Sequence, residues 1–160
     1  MIIFLLFEHN KNGDYMNSEY EILDYIYKNA TMGYESAMTL LKSLKNKDNK
    51  IKSDVQDIIN SYEEFTKESE LLLAKINADG TKVNPVASLS VDMNVIMKTM
   101  KDNSDAAIAK MLIKGLTMGQ NNMSKVFDNI SENLDKKTLK LLNNFKDFQT
   151  NAIRKLEAYI

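Results

Sequence analysis

The sequence predicts an all-α fold: a four-helix bundle of two related αα-hairpins, joined by a long crossover that carries a short extra helix. Three observations predict it. One Pro and five Gly in 160 residues leave little to interrupt a helix, so the elements are long. Apolar residues recur at steps of three and four over separate stretches, the period of a helix with one buried face. The first two stretches also match the last two, position for position, at a nearly constant offset.

The first helix is expected to begin at Ser18. Ser18 and Glu21 have the S-x-x-E spacing of a capping box, in which each side chain satisfies a backbone N–H left free by the first turn. Its stripe runs Ile22, Ile26, Asn29, Gly33, Ala37, Leu40 and Leu44, and stops at the polar turn Asn46-Lys47-Asp48-Asn49. The second helix carries the clearest pattern. Ile51, Val55, Ile58, Tyr62, Phe65, Ser69, Leu72 and Ile76 alternate steps of four and three, a seam of more than three heptads. Asp79-Gly80 ends it, Gly80 being suited to the left-handed residue after a helix.

Residues 81–90, with Pro85, read as the crossover loop. Ser90 can cap a short helix over Met93, Ile96, Met97 and Met100, which Lys101 to Ser104 breaks. Asn103 or Ser104 then caps a third long helix with the stripe Ile108, Leu112, Gly115, Gly119, Val126 and Ile130. Asp135 caps the fourth, with Thr138, Leu142, Phe145, Phe148, Ala152, Leu156 and Tyr159 near its inner face.

The two hairpins then align. Thr31-Met32-Gly33 recurs as Thr117-Met118-Gly119, an offset of 86 that also pairs Ile22 with Ile108, Ile26 with Leu112, Leu40 with Val126 and Leu44 with Ile130. In the second helix of each half an offset of 83 pairs Ile58 with Leu141, Tyr62 with Phe145, Phe65 with Phe148 and Leu73 with Leu156. A hairpin turn three residues shorter in the second half accounts for the difference. The layout is hairpin 1 over about 18–79, a crossover over 80–103 and hairpin 2 over about 104–159, in a single domain of residues 16–160.

Composition narrows the chemistry. Lys and Arg total 21 against 22 Asp and Glu, a net charge of −1, with Lys interleaved among acids. That argues against a nucleic-acid binder, which neutralises phosphates with a clustered cationic excess. There is no Cys, so disulfides, thiolate nucleophiles and Cys-ligated metal sites are excluded.

Residues 1–15 stand apart. Met1 to Phe7 is an apolar run too short for a bilayer, which takes about 20 residues. No basic segment precedes it and no small-residue cleavage site follows it, so it makes a poor signal peptide. The economical expectation is translation from Met16, since Gly13-Asp14 can be encoded by a ribosome-binding sequence; an amphiphilic N-terminal anchor is the alternative. His9 is the only histidine and lies in this extension, so a chain starting at Met16 has no imidazole.

The whole pattern, with Gly33-Tyr34 and Ala37 matching a G-Y/F-x-x-A motif on the first helix, resembles the ferritin-like superfamily and, within it, a bacterial family of uncharacterised four-helix proteins. The resemblance covers about residues 18–159 and implies a di-iron or di-manganese centre, with Glu from two helices and Glu-x-x-His from the other two. This chain has no Glu-x-x-His. Where second- and fourth-helix ligands would sit it has Tyr62, Phe65 and Ser69, then Phe145, Phe148 or Gln149, and Ala152. Glu63, Glu64, Glu68 and Glu70 mostly fall off the seam. The expectation is therefore no metal and no cofactor, with Glu35 the first candidate ligand if a metal binds; its repeat equivalent, Asn121, breaks any symmetric pair.

The remaining features read as structural. Gly33, Gly115 and Gly119 are placed on inward stripes, where close helix approach or a neighbouring ring would offset the roughly 1 kcal/mol cost of Gly in a helix. Tyr25, Tyr27, Tyr34 and Tyr62 are expected at the core boundary with hydroxyls reaching water. Met93, Met97, Met100, Met111, Met118 and Met123 read as core filler rather than an adaptable binding surface. Lys42, Lys45, Lys47, Lys50 and Lys52 read as a solvated hairpin tip, contact with anionic lipid or nucleic acid being the alternative.

No nucleophile–base set or phosphate loop stands out. The reading is a non-enzymatic structural or interaction bundle, with self-association or a protein partner. Its alternatives are an atypical carboxylate metal-binding or oxidative-stress protein, and a membrane-surface or partner-helix binder using residues 1–7. The resemblance implies a bacterial cytoplasmic protein, with spore or envelope association compatible.

Overall fold

The computed structural model describes residues 18–76, 95–98, 100–127 and 134–160. Four long helices account for most of them: α1 (Ser18–Ser43), α2 (Lys52–Ile76), α3 (Asp105–Phe127) and α4 (Lys136–Glu157). Residues 95–98 form a single helical turn, and no strand occurs among the described residues. No described helix is long and apolar enough to cross a membrane. Residues 1–15 with His9, the start at Met16, the Asp79-Gly80 stop, Pro85, Ser90, Met93, Ile130 and the side chains of Ser18 and Val126 lie outside the described residues.

The helix starts follow the expected chemistry. Ser104 Oγ accepts from Ala107 N at 3.2 Å, ahead of α3. Asp135 caps α4 by accepting from Lys137 N at 3.1 Å.

Hydrogen bonds between the ends set the directions. In the α1–α2 turn, Asn49 Nδ2 donates to Asn103 O at 3.0 Å and to Asp105 Oδ1 at 2.8 Å, beside the start of α3. Tyr159, just after α4, donates to Asp54 on the first turn of α2. At the other end Asp135 N donates to Glu19 on the first turn of α1. So α1 and α4 run parallel, and α2 and α3 both run against them. α2 closes at the end of the bundle opposite to where α3 opens, about 37 Å away by the rise of a 25-residue helix.

α1 packs most extensively along α2, and α3 along α4. α1 and α4 also approach each other, whereas α2 and α3 do not meet. The cross-section is thus a rhombus with α1 and α4 on its short diagonal. Ile22, Ile26, Leu40, Leu44, Ile51, Val55, Ile108, Leu141, Phe145 and Leu156 form the fully buried centre.

Two inward assignments need correction. Gly115 is exposed, and a Cβ added there would meet nothing within 4 Å; its neighbour Leu116 is buried instead. Ile76 is exposed, and at Leu72, half-buried against the core, the buried face already shifts to Leu73, because a straight helix drifts away from a seven-residue seam over several turns. Ile96 faces outward, leaving Met97 as the buried residue of its turn.

Candidate functional site

The mid-height of the bundle is filled by rings. α2 supplies Tyr62 and Phe65, three apart on one face, and α4 supplies Phe145 and Phe148 with the same spacing. Tyr62 meets Phe148 edge-on with centroids 4.9 Å apart, and Phe65 meets Phe145 edge-on at 5.0 Å. Phe65–Phe148 and Phe145–Phe148 close the cluster at 5.4 and 6.1 Å in tilted geometry. Edge-on pairs set the positive rim of one ring against the negative face of the next, adding to the hydrophobic term. Ser69, one turn beyond Phe65, is wholly buried and donates back to Phe65 O at 2.6 Å, so its hydroxyl is satisfied within α2.

Tyr62 explains Gly33. A Cβ at Gly33 would stand 2.4–2.7 Å from the Tyr62 ring carbons, so α1 can carry no side chain where that ring lies. Ala37, one turn on, is buried, and Tyr34 is half-buried against the core. Tyr62 is itself buried, not a boundary residue with its hydroxyl in water; burial first, and the neighbouring Tyr25 phenol second, push it well above the ordinary range.

A second, polar junction joins α1, α3 and α4. Tyr25 corrects the boundary expectation too. It is 5% exposed, and its hydroxyl donates to Gly119 O at 2.8 Å. Burial pushes its phenol up to about 12, against a smaller opposing effect of the Asn29 amide, whose Nδ2 lies 3.5 Å from the hydroxyl. Gly119 leaves room for two carboxamides: an added Cβ would lie 3.1 Å from Gln149 Nε2 and 3.3 Å from Asn29 Nδ2. Gln149 is fully buried, and neither its Nε2 nor its Oε1 has a hydrogen-bond partner. Sequence spacing points to Gly33, Gly119, Tyr62, Phe65, Phe145 and Phe148. It misses that Tyr25 and Asn29 reach Gly119, because that contact spans 94 residues and follows from packing alone.

Glu35 lies half-buried on α1, and its Oε2 is buried without a hydrogen-bond partner. Among the described residues, no three His, Cys, Asp or Glu side chains gather as a metal site would require.

Two surface clefts lie among the described residues outside these clusters. One, of about 260 Å³, lies between α2 and α4 over Ile58, Phe148 and Leu156. Its acids are matched locally: Asp57 faces Lys155 at 3.7 Å, and Asp54 accepts from Tyr159. That bond, then burial, pushes the Tyr159 phenol up to about 12. The other, of about 270 Å³, lies at the end of α1 and is formed by Met38, Leu41, Lys42, Lys45 and Lys52. No protein-family profile, curated protein or solved structure matches this chain.

Proposed function

We propose that this chain is a ferritin-like bundle of two repeated αα-hairpins that carries no di-metal centre and acts, without catalysis, through a protein partner or a second copy of itself. The ring cluster carries the proposal. Tyr62, Phe65, Phe145 and Phe148 occupy the inward positions where carboxylate and imidazole ligands would stand, and they touch one another at 4.9–6.1 Å. Carboxylates in such an apolar layer would cost several kcal/mol each unless a metal paired them.

The order of helix directions supports the ferritin-like reading, since α2 and α3 run the same way and a single long connection joins them. Burial at Ile22 and Ile108, Tyr62 and Phe145, and Leu73 and Leu156 supports the repeat. Fold by itself selects no partner.

One observation favours a second reading, an atypical carboxylate metal site: the unpartnered buried oxygen of Glu35. Elemental mass spectrometry separates the two. The chain is expressed without a His tag in medium supplemented with iron and manganese, and its metal content is measured beside Glu35→Gln. Metal below a few per cent of protein in both is the expected result. Stoichiometric metal that falls in Glu35→Gln would overturn it.

A further inference from the structure

The lysine-rimmed cleft at the end of α1 goes beyond that reading in one respect: it specifies the partner. Residues 42–52 carry five Lys and one Asp, a net of +4 in a chain whose net charge is −1. Lys42, Lys45, Lys47 and Lys50 are exposed and Lys52 is half-buried. Two lysines find an acid one turn back: Lys28 meets Asp24 at 2.7 Å and Lys67 meets Glu63 at 2.8 Å. Lys42 and Lys45 have no acid at that spacing. One turn back from Lys42 is Met38, and one turn back from Lys45 is Leu41. None of the five lysines has an ion-pair partner among the described residues. Three of them, Lys42, Lys45 and Lys52, line the cleft, which is almost wholly apolar, the lysine stems adding to Met38 and Leu41. The α2–α4 cleft is different, because Asp57 already faces Lys155 and Asp54 already accepts from Tyr159.

We infer that this cleft docks an acidic amphipathic helix of a partner protein, one aliphatic side chain seating on Met38 and Leu41 while carboxylates a turn to either side meet Lys42, Lys45 and Lys52. Lys42 lies in the last turn of α1 and Lys45 in the turn that follows, its N–H donating to Lys42 O at 3.2 Å, so the two ammonium groups stand about one turn apart and suit acids spaced three or four apart on a partner helix. A recess receives a protruding side chain, whereas a membrane-surface helix needs apolar residues that protrude into the lipid. The two large apolar residues within the lysine run, Leu44 and Ile51, are both wholly buried, so nothing apolar projects from it. This inference rests on the interaction reading above and deepens it; metal content tests that reading alone, and the titration below tests the cleft alone.

The probe is a synthetic 18-residue acidic peptide with leucines on one helical face and glutamates three and four residues from each, titrated by fluorescence anisotropy against the full chain. A scrambled peptide of equal composition and vesicles containing phosphatidylserine run beside it. Saturable binding of the patterned peptide is expected, weakened about tenfold or more by scrambling, by added salt and by K42E/K45E/K52E. K136E/K137E, exposed lysines at the far end of the bundle, should leave it unchanged. Circular dichroism checks that each variant folds, and Met38→Gln, which keeps every charge, tests the apolar seat separately. No binding by about 1 mM peptide would overturn the proposal, as would equal binding of the scrambled peptide or a triple variant within twofold of the parent. Vesicle binding without peptide binding would overturn it in favour of a membrane.

Discussion

The α2–α4 seam and the α1–α3–α4 junction lie in the same bundle and solve the same problem by opposite chemistry. The seam fills its space with four rings, and α1 yields to them by having Gly33 at the Tyr62 ring. The junction fills its space with a phenol and two carboxamides, and α3 yields to them by having Gly119. At the seam, dispersion and the hydrophobic effect need only shape, and every contact is satisfied by filling volume. At the junction each buried polar atom also needs a partner, and Gln149 has none. Two helical glycines, Gly33 and Gly119, are thus demanded by unlike neighbours.

The largest effect bearing on this contrast is expected from Phe145→Ala. The ring is wholly buried and touches Phe65 and Phe148, so its removal should cost about 3–5 kcal/mol, read from the urea midpoint at constant m. A loss under 1 kcal/mol would mean that the ring cluster is not the centre of the core.

Gly33→Ala comes next. Its Cβ would meet a buried ring that has nowhere to go, so about 1–3 kcal/mol should be lost despite the better helix propensity of Ala. Pairing it with Tyr62→Leu should recover part of that loss, which a double-mutant cycle measures. Additive losses would show that the two residues do not meet.

The junction has a pH signature. Tyr25 has a folded pKa near 12, above the ordinary value of 10.0. The unfolded phenol therefore ionises first, and this contribution to stability is complete below pH 10 and is lost as pH rises towards 12. Urea midpoints at pH 9 and pH 11 should diverge, and Tyr25→Phe should narrow the gap while costing about 1 kcal/mol at neutral pH for the lost bond to Gly119 O. An unchanged gap would assign the alkaline loss elsewhere, with Tyr62 the next phenol to examine.

The smallest effect distinguishes the third helical glycine. Gly115 is exposed with nothing near it, so Gly115→Ala should raise stability by about 0.5–1 kcal/mol, seen as a higher melting temperature. A loss there would place Gly115 in a contact made by a partner.

Much of the bundle is legible in the residues alone. The seam from Ile51 to Ser69 reads correctly because a buried helix face repeats on the helical period. Asp135 and Ser104 cap helices because their side chains satisfy backbone N–H groups a few residues away. Those are local rules. The departures fall where periodicity alone has to set depth. Gly115 lies on the extrapolated stripe yet faces solvent, and Ile76 lies on the seam after the helix has rotated away from its neighbours. Tyr25 and Tyr62 belong at the boundary by the general habit of tyrosines, yet both are buried.

Residue type and near neighbours suffice for an all-helical chain, for the starts of α3 and α4, for the identity of the ring-forming residues and for the lack of thiol chemistry. Which helices face which is a matter of packing: that Tyr25 reaches across to Gly119, that Tyr62 needs Gly33, and that Lys42 and Lys45 rim an apolar recess with Lys52. The reason is that a helix repeats its own pattern every few residues, whereas the neighbour that fills the space beside it can come from anywhere in the chain.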